Sequence, residues 1–311
     1  MTLSVSIITP SFNQSCYLEQ AIRSVLEQEY PAIEYFIIDG GSNDSSVEII
    51  RKYQQHLTGW VSEPDKGQAE AINKGFARAS GDIVAWLNSD DVYQPGAIRA
   101  AVETFEKHPE AGMVYGNLLS IDEGSQPFNV QTFRPYTLAD LMAFRIIGQP
   151  AVFLRRALLE QTGLLDPSYH YLLDHHLWLR VAQAAPIVHI PRTLAAARYH
   201  SAAKNRAHTR EFGREAFRIV EWMQFDPRFS PFFNHHHRRI LAGAHRLNAF
   251  YLLDGGFYAE SLTAYARAFW YHPVVVLPEI HRILYALLAP LGLHRLRTAY
   301  NRLRSFTKLS R

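Results

Sequence analysis

Between residues 5 and 91 short apolar runs alternate with amphipathic stretches, and that alternation restricts the chain to a sheet wrapped by helices. The runs VSIITPSF, IEYFIID and Ile83 to Leu87 read as strands, with a shorter one at Gly59 to Ser62. Between them, Ser15 to Glu29 places Leu18, Ala21, Ile22, Val25 and Leu26 on one helical face, another helix starts at Val47, and Gln68 to Ala79 repeats the spacing through Ala71, Ile72, Gly75 and Phe76. The run before Asn88 is apolar throughout, which suits a strand covered on both faces. A β-α-β-α order calls for a mostly parallel sheet, so this is an α/β, Rossmann-like arrangement. Its polar loops, starting at Pro10, Asp39 and Asn88, then collect at the carboxyl edge, where open α/β sheets bind ligands.

Further along, the sequence predicts a helix over Ala97 to His108, strands over Gly112 to Leu119 and Gln149 to Arg155, and a helix over Leu172 to Ala185. The texture changes near residue 205. From there the pattern is helical and rich in His, Arg, Phe and Tyr, and Asn248 to Pro273 resembles a single tetratricopeptide unit, read here as a helical hairpin. The expected division is therefore 1–205 for an α/β domain and 206–311 for a C-terminal helical extension.

A chain of 311 residues with 48% apolar composition can bury a substantial core. Its single cysteine, Cys16, forms no internal disulfide, and the start MTLSVSIITPSF lacks the basic and long apolar regions of an export signal. A cytoplasmic protein is expected. No Asp or Glu follows Glu279, whereas Arg282, Arg295, Arg297, Arg302, Arg304, Lys308 and Arg311 do, with apolar residues between them. This pattern suits an anionic membrane surface, on the inner face of the cell membrane, better than a nucleic-acid groove, with a basic solvated helix as the equal alternative. Val274 to Leu293 is interrupted by Pro278, Glu279, His281, Arg282 and Pro290, so the expectation is a segment suited to lying on a membrane, not one that crosses it.

The chemistry concentrates in polar loops. In Leu87-Asn88-Ser89-Asp90-Asp91 two adjacent carboxylates repel each other unless a cation or water separates them, which fits either a divalent ion bridging a diphosphate or a solvated turn before Pro95. Asp39 precedes Gly40-Gly41-Ser42, where the backbone can approach a ligand, and its carboxylate either accepts from a base or ribose or caps its own loop. Glu63-Pro64-Asp65-Lys66-Gly67 adds a lysine able to neutralise a diphosphate. Adjacent His175 and His176 point about 100° apart on a helix and do not share one zinc ion.

The series TPSFN, IIDGGSNDSS, SEPDKGQAEAINKGFARASGDIVAWLNSDD and GLLDPSYHYLLDHHLWLRVA resembles the inverting nucleotide-sugar glycosyltransferases of family 2, with the GT-A fold, over residues 3 to 205. It is most similar to members that build bacterial exopolysaccharide and lipopolysaccharide. The resemblance implies that Thr9, Pro10, Ser11 and Asn13 hold the nucleotide, that Asp39 recognises the base, and that Lys66 and Gly67 line its pocket. Asp90, with Asp91 as its support, corresponds to the motif that binds Mn or Mg between the diphosphate and the protein. Asn88 stands where an aspartate is common, which removes one negative charge. Asp174 corresponds to the catalytic base, although the usual acidic pair reads Leu173-Asp174 here. Gln149 borders the sugar pocket, and Arg198, Tyr199 and His200 fall where relatives keep an Arg or His near the donor phosphates. The partners implied are a nucleotide-sugar donor, with uridine as the default base, and a glycan or lipid-linked acceptor. Two rival readings are a glycoside hydrolase, which needs paired carboxylates but no diphosphate pocket, and a non-catalytic sugar-nucleotide-binding scaffold.

Overall fold

The computed structural model describes residues 2–200 and 208–291. The chain divides into two compact units, residues 1–136 with 147–199, and residues 137–146 with 200–311.

The first unit is built on β1 (Val5–Ser11), β2 (Ile33–Asp39), β3 (Gly59–Ser62) and β4 (Ile83–Trp86), interleaved with α1 (Ser15–Leu26), α2 (Ser46–Tyr53) and α3 (Gln68–Phe76). These four strands pair in parallel in the order β3-β2-β1-β4. After them come β5 (Val92–Tyr93), α4 (Ala97–Lys107), β6 (Met113–Ile121), β7 (Pro127–Gln131), β8 (Val152–Arg155), α6 (Arg156–Thr162), α7 (Leu173–Ala184) and β9 (Ile187–Arg198). The sheet continues past β4 through antiparallel β8 to β6, which pairs in parallel with β9 and antiparallel with β7.

The central strands are covered on both faces, which explains the unbroken apolar run of β4. Val5, Ile7, Tyr35, Ile37 and Ile83 join one core with Leu18, Ile22 and Val25 of α1 and Phe105 of α4. On the opposite face α3 lies so close that a Cβ on Gly75 would stand 2.4 Å from Ile8 Cγ2. The predicted helices and strands of the first ninety residues therefore form with boundaries shifted by only a few residues.

Two local differences have clear causes. β1 keeps Pro10 and Ser11 inside the strand, within the VSIITPSF run, so the loop expected to start at Pro10 starts after Ser11. Ile8 faces β4, accepting from Leu87 N–H, and Ser11 faces β2, accepting from Gly40 N–H. By alternation Pro10 faces the β4 side, where pairing stops at Ile8–Trp86, so its missing N–H costs no ladder bond. Residues 149–151, expected to open a strand, form a 3₁₀ turn instead, and β8 starts at Val152. Pro150 cannot donate to a ladder, and Gln149 spends its side chain on the Trp86 carbonyl, 2.7 Å away.

The second unit contains α5 (Leu138–Met142), α8 (Thr209–Phe225), α9 (Ser230–Asp254), α10 (Tyr258–Tyr271), α11 (Pro273–Val276) and α12 (Ile280–Leu288). The last turns of α9 and α10 form the helical hairpin expected for Asn248 to Pro273, with Gly256 at φ +80° between them. Ala249, Leu252, Ala264, Tyr265, Ala268 and Val276 make its core. Residues 137–146 join this unit through α9: Arg239 pairs with Asp140, Gly243 packs on the Ala143 backbone, and Arg246 donates to the Phe144 carbonyl. Those three α9 positions repeat at helical spacing, so one face of the helix holds the whole segment. Among the described residues, no helix is long and apolar enough to cross a membrane.

Candidate active site

Register brings the first polar groups together. Ser11 pairs with Asp39, and Asp39 with Ser62, so the ends of β1, β2 and β3 lie side by side. Asp39 is fully buried. Its Oδ2 accepts from Gly41 N–H (3.1 Å), Ser42 N–H (2.9 Å) and Ser62 Oγ (2.7 Å), and its Oδ1 from Ser42 Oγ (2.5 Å). The carboxylate thus fixes the Gly40-Gly41-Ser42 loop. Pro10 and Ser11 are also buried, and Ser11 Oγ has no hydrogen-bond partner among the described residues. Thr9 turns inward, with its hydroxyl 3.0 Å from that of Tyr35.

The loops after β1 and β2 are stitched to each other. Asn13 adopts φ 51°, a conformation asparagine tolerates better than most residues. Its N–H donates to Ser42 Oγ (2.8 Å) and its Oδ1 accepts from Asn43 N–H (2.9 Å). Asp44 accepts from Ser15 N–H and Ser46 N–H, both at 3.0 Å, serving the start of α1 with one oxygen and of α2 with the other. Burial pushes the Asp44 carboxyl up, but hydrogen bonds from Ser46 and Ser15 outweigh it and hold the group at about 2. Lys66 and Gly67 are exposed in the turn leading into α3, where Gly67 takes φ +121°. That turn abuts the β2 loop: a Cβ on Gly40 would stand 2.7 Å from Asp65 Oδ2.

Beyond β4 the two adjacent carboxylates separate. Asp91 is buried, accepting from Arg198 N–H at Oδ1 (2.9 Å) and from Asn88 Nδ2 at Oδ2 (3.1 Å). Burial, reinforced by the neighbouring Asp90 charge, pushes its pKa well above the ordinary carboxylate value. Asp90 is half-buried, and its carbonyl accepts from Arg198 Nε (2.9 Å). Asn88 is the hub of this loop. Its Nδ2 also donates to Gln149 Oε1 (3.1 Å), and its Oδ1 accepts from Gln68 Nε2 (2.7 Å). An aspartate at 88 would donate neither bond while ionised, so the amide matches two acceptors that a carboxylate would repel.

Asp174 opens α7, half-buried, with Oδ1 accepting from the His175 N–H at 2.7 Å. One turn on, Trp178 stacks against Trp86 of β4, ring centroids 5.2 Å apart and planes at 28°. Residues four apart share a helix face, so Asp174 lies on the side of α7 that meets β4. Asp90 follows Trp86 by the same number of residues. Phe76 of α3 packs edge-on to Trp86 at 5.9 Å, and the Asn73 side chain pairs with both backbone groups of Leu165 (2.8 and 3.1 Å), in the segment leading to α7.

Among the described residues no three His, Cys, Asp or Glu side chains gather into a metal cage. Asp90 would suit an ion shared with substrate phosphates, since Mg²⁺ commonly takes one or two carboxylates plus substrate phosphates. Asn88 and Asp91 spend their polar atoms on each other and on Gln68, Gln149 and Arg198.

Arg198 belongs with the Asp90 loop as well. Arg198 is buried, and its guanidinium serves the Asp90 and Asp122 carbonyls, Ser125 Oγ (2.9 Å) and Gln20 Oε1 (2.6 Å), clamping the β6–β7 turn to the Asp90 loop. His200 is buried in the second unit. Gln68, Asp44 and the Trp86–Trp178 pair were not read as site residues from the sequence, and Gln68 and Asp44 carried no signal there. For the tryptophans, placement on β4 and on the face of α7 shared with Asp174 was the available clue.

The model of glycosyl transferase family 2 matches residues 6–162. A teichuronic acid biosynthesis glycosyltransferase by name, TuaG of Bacillus subtilis, is 32% identical over 183 residues, covering 56% of this chain and 70% of TuaG. The structure of S. aureus TarS with UDP-GlcNAc superposes with TM-score 0.60 at 15% identity, covering 85% of this chain and 89% of the other. Mannosyltransferase PcManGT from Pyrobaculum calidifontis, with GDP-Man and Mn²⁺, gives TM-score 0.59 at 20% identity over 99% of this chain and 88% of the other. At such identities these two structures speak for the fold alone, the GT-A arrangement expected from the sequence. The matched family model spans the parallel strands, both stitched loops and the Asp90 turn: the chain belongs to glycosyl transferase family 2 and is a glycosyltransferase.

Proposed function

We propose that this glycosyltransferase moves one sugar, with inversion, from a nucleotide-diphosphate donor to a hydroxyl of a glycan or lipid-linked acceptor in cell-surface polysaccharide synthesis. The observation that carries the reading is the Trp86–Trp178 stack, which ties the strand before Asp90 to the helix face that bears Asp174. Catalysis belongs to the first unit. Pro10, Ser11, Asn13, Asp39, Lys66 and Gly67 line the nucleotide, and Asn88 and Gln149 border the diphosphate and sugar. Asp174 takes the acceptor O–H proton as that oxygen bonds the anomeric carbon and the bond to the diphosphate breaks, releasing nucleoside diphosphate. Asp90 would hold a divalent cation, Mn²⁺ or Mg²⁺, with Asp91 supporting its loop, and such an ion would offset charge on the leaving group. Lys66 adds a second positive charge there.

Uridine is the preferred base, a choice supported by the ligand of TarS and opposed by the guanosine ligand of PcManGT. TuaG, by its name, supports a cell-surface product. Thermal unfolding with uridine, guanosine, thymidine and cytidine diphosphates, each with Mn²⁺, Mg²⁺ or chelator, tests the donor. One diphosphate is expected to raise the midpoint by mass action, more with metal than with chelator. Since no three metal-ligating side chains gather among the described residues, metal alone is expected to leave the midpoint nearly unchanged. A midpoint indifferent to every diphosphate contradicts the donor site.

A further inference from the structure

The second unit turns a large apolar surface outward. In α12 the inward side carries Ala286, while Ile280, Leu284 and Leu287 are 48%, 52% and 52% exposed, at spacings of four and three residues that put them on one face. The preceding segment continues the pattern with Trp270 at 80%, Val274 at 64% and Leu277 at 52%. Solitary exposed apolar residues are ordinary, but six within eighteen residues of short helices mark a surface that meets something.

Charge identifies what it meets. The basic group of α12, Arg282, is used internally, donating to Asp254 (2.7 Å) and stacking on Phe250 (3.8 Å). Glu279, the last acidic residue of the chain, is bound by Arg246 (2.7 Å) and by the Tyr265 hydroxyl (2.7 Å). The sequence after residue 291 holds Arg295, Arg297, Arg302, Arg304, Lys308 and Arg311 and no acid. That run of positive charge suits an anionic lipid surface, which also accepts an apolar face, better than a second copy with the same charge. Tryptophan favours the membrane–water boundary, and α12 at nine residues spans only about 14 Å, under half a hydrocarbon core.

We propose that the α10–α12 face docks on an anionic lipid bilayer, with Trp270, Val274, Leu277, Ile280, Leu284 and Leu287 entering the interface and the basic C-terminal sequence drawn to the headgroup phosphates. The proposal is independent of the donor reading, because its readout needs neither donor nor turnover. The test is flotation of the full chain with vesicles of phosphatidylcholine plus phosphatidylglycerol, and of phosphatidylcholine alone. The parent is expected to float with the anionic vesicles, and less so at high salt. Leu284→Ser with Leu287→Ser is expected to lower partitioning by roughly tenfold or more with unchanged circular dichroism, since binding scales with buried apolar area. Replacing Arg295, Arg297, Arg302 and Arg304 by Gln is expected to abolish the preference for anionic lipid. A parent that stays unbound on anionic vesicles overturns the proposal. So does a serine variant that floats like the parent, or a concentration-dependent dimer that the serine substitutions dissociate, since this assigns the face to a second copy.

Discussion

Asp90 and Asp91 are neighbours in sequence with different fates in the fold. Read as letters, they are two equal carboxylates. Burial divides them: Asp91 accepts from Arg198 and Asn88 inside the unit, and Asp90 remains half-buried beside it. That division depends on Arg198, more than a hundred residues away, so the local sequence could not carry it. Asn88 likewise looked like a lost charge until Gln68 and Gln149 supplied its partners. Asp44 went unnoticed because a serine-rich loop offers many capping residues, and only the fold shows that one carboxylate serves two helices. Its hydrogen bonds lower its folded pKa to about 2 from the ordinary 3.8. A group with a depressed folded pKa contributes stability above its unfolded pKa and loses it as pH falls through the folded one. Stability is therefore expected to decline between about pH 4 and pH 2, and Asp44→Ala to flatten that limb. Denaturant midpoints measured across this range check it; an unchanged slope in Asp44→Ala contradicts the assignment.

At the scale of elements, period decides what was legible. Apolar spacings near 3.6 marked α1, α3 and α4, which bury the side their sequence declares, and largely apolar runs marked β1, β2 and β4, whereas α7 is buried nearly all round. The 149–151 turn was harder to read, since its apolar neighbours continue into β8 and only Pro150 signals the break. The segment 137–146 was not legible as part of the second unit, because the residues that claim it, Arg239, Gly243 and Arg246, lie a hundred positions later. The Trp86–Trp178 stack is the element-scale device that matters most for the site. Both rings are almost fully buried. Trp178→Ala is expected to lower unfolding free energy by about 3–5 kcal/mol and to cut transfer further by releasing α7 from β4. Urea unfolding and turnover of the folded fraction measure the two effects; a loss under about 1 kcal/mol would mean that the ring does not hold the helix.

For the whole molecule, each unit carries a separate task in this account. The first contributes the sheet edge at which Asp39, Lys66, Asp90 and Asp174 are proposed to work, and the order of its motifs made both fold and family readable before any coordinates. The second contributes an apolar face whose exposure no pattern of letters could establish, because a leucine stripe looks the same whether a neighbouring helix covers it or not. The proposed transfer requires one base and one donor site that can be separated by mutation. The most direct measurement is therefore sugar transfer from the preferred donor by the parent and by Asp174→Asn, alongside calorimetric donor affinity and the anomeric configuration of the product. The expected result is an inverted linkage from the parent, unchanged donor affinity in the variant and a rate lower by about 10²- to 10⁴-fold. A folded Asp174→Asn enzyme that transfers at nearly the parental rate, or a product that retains the donor configuration, would contradict the central claim.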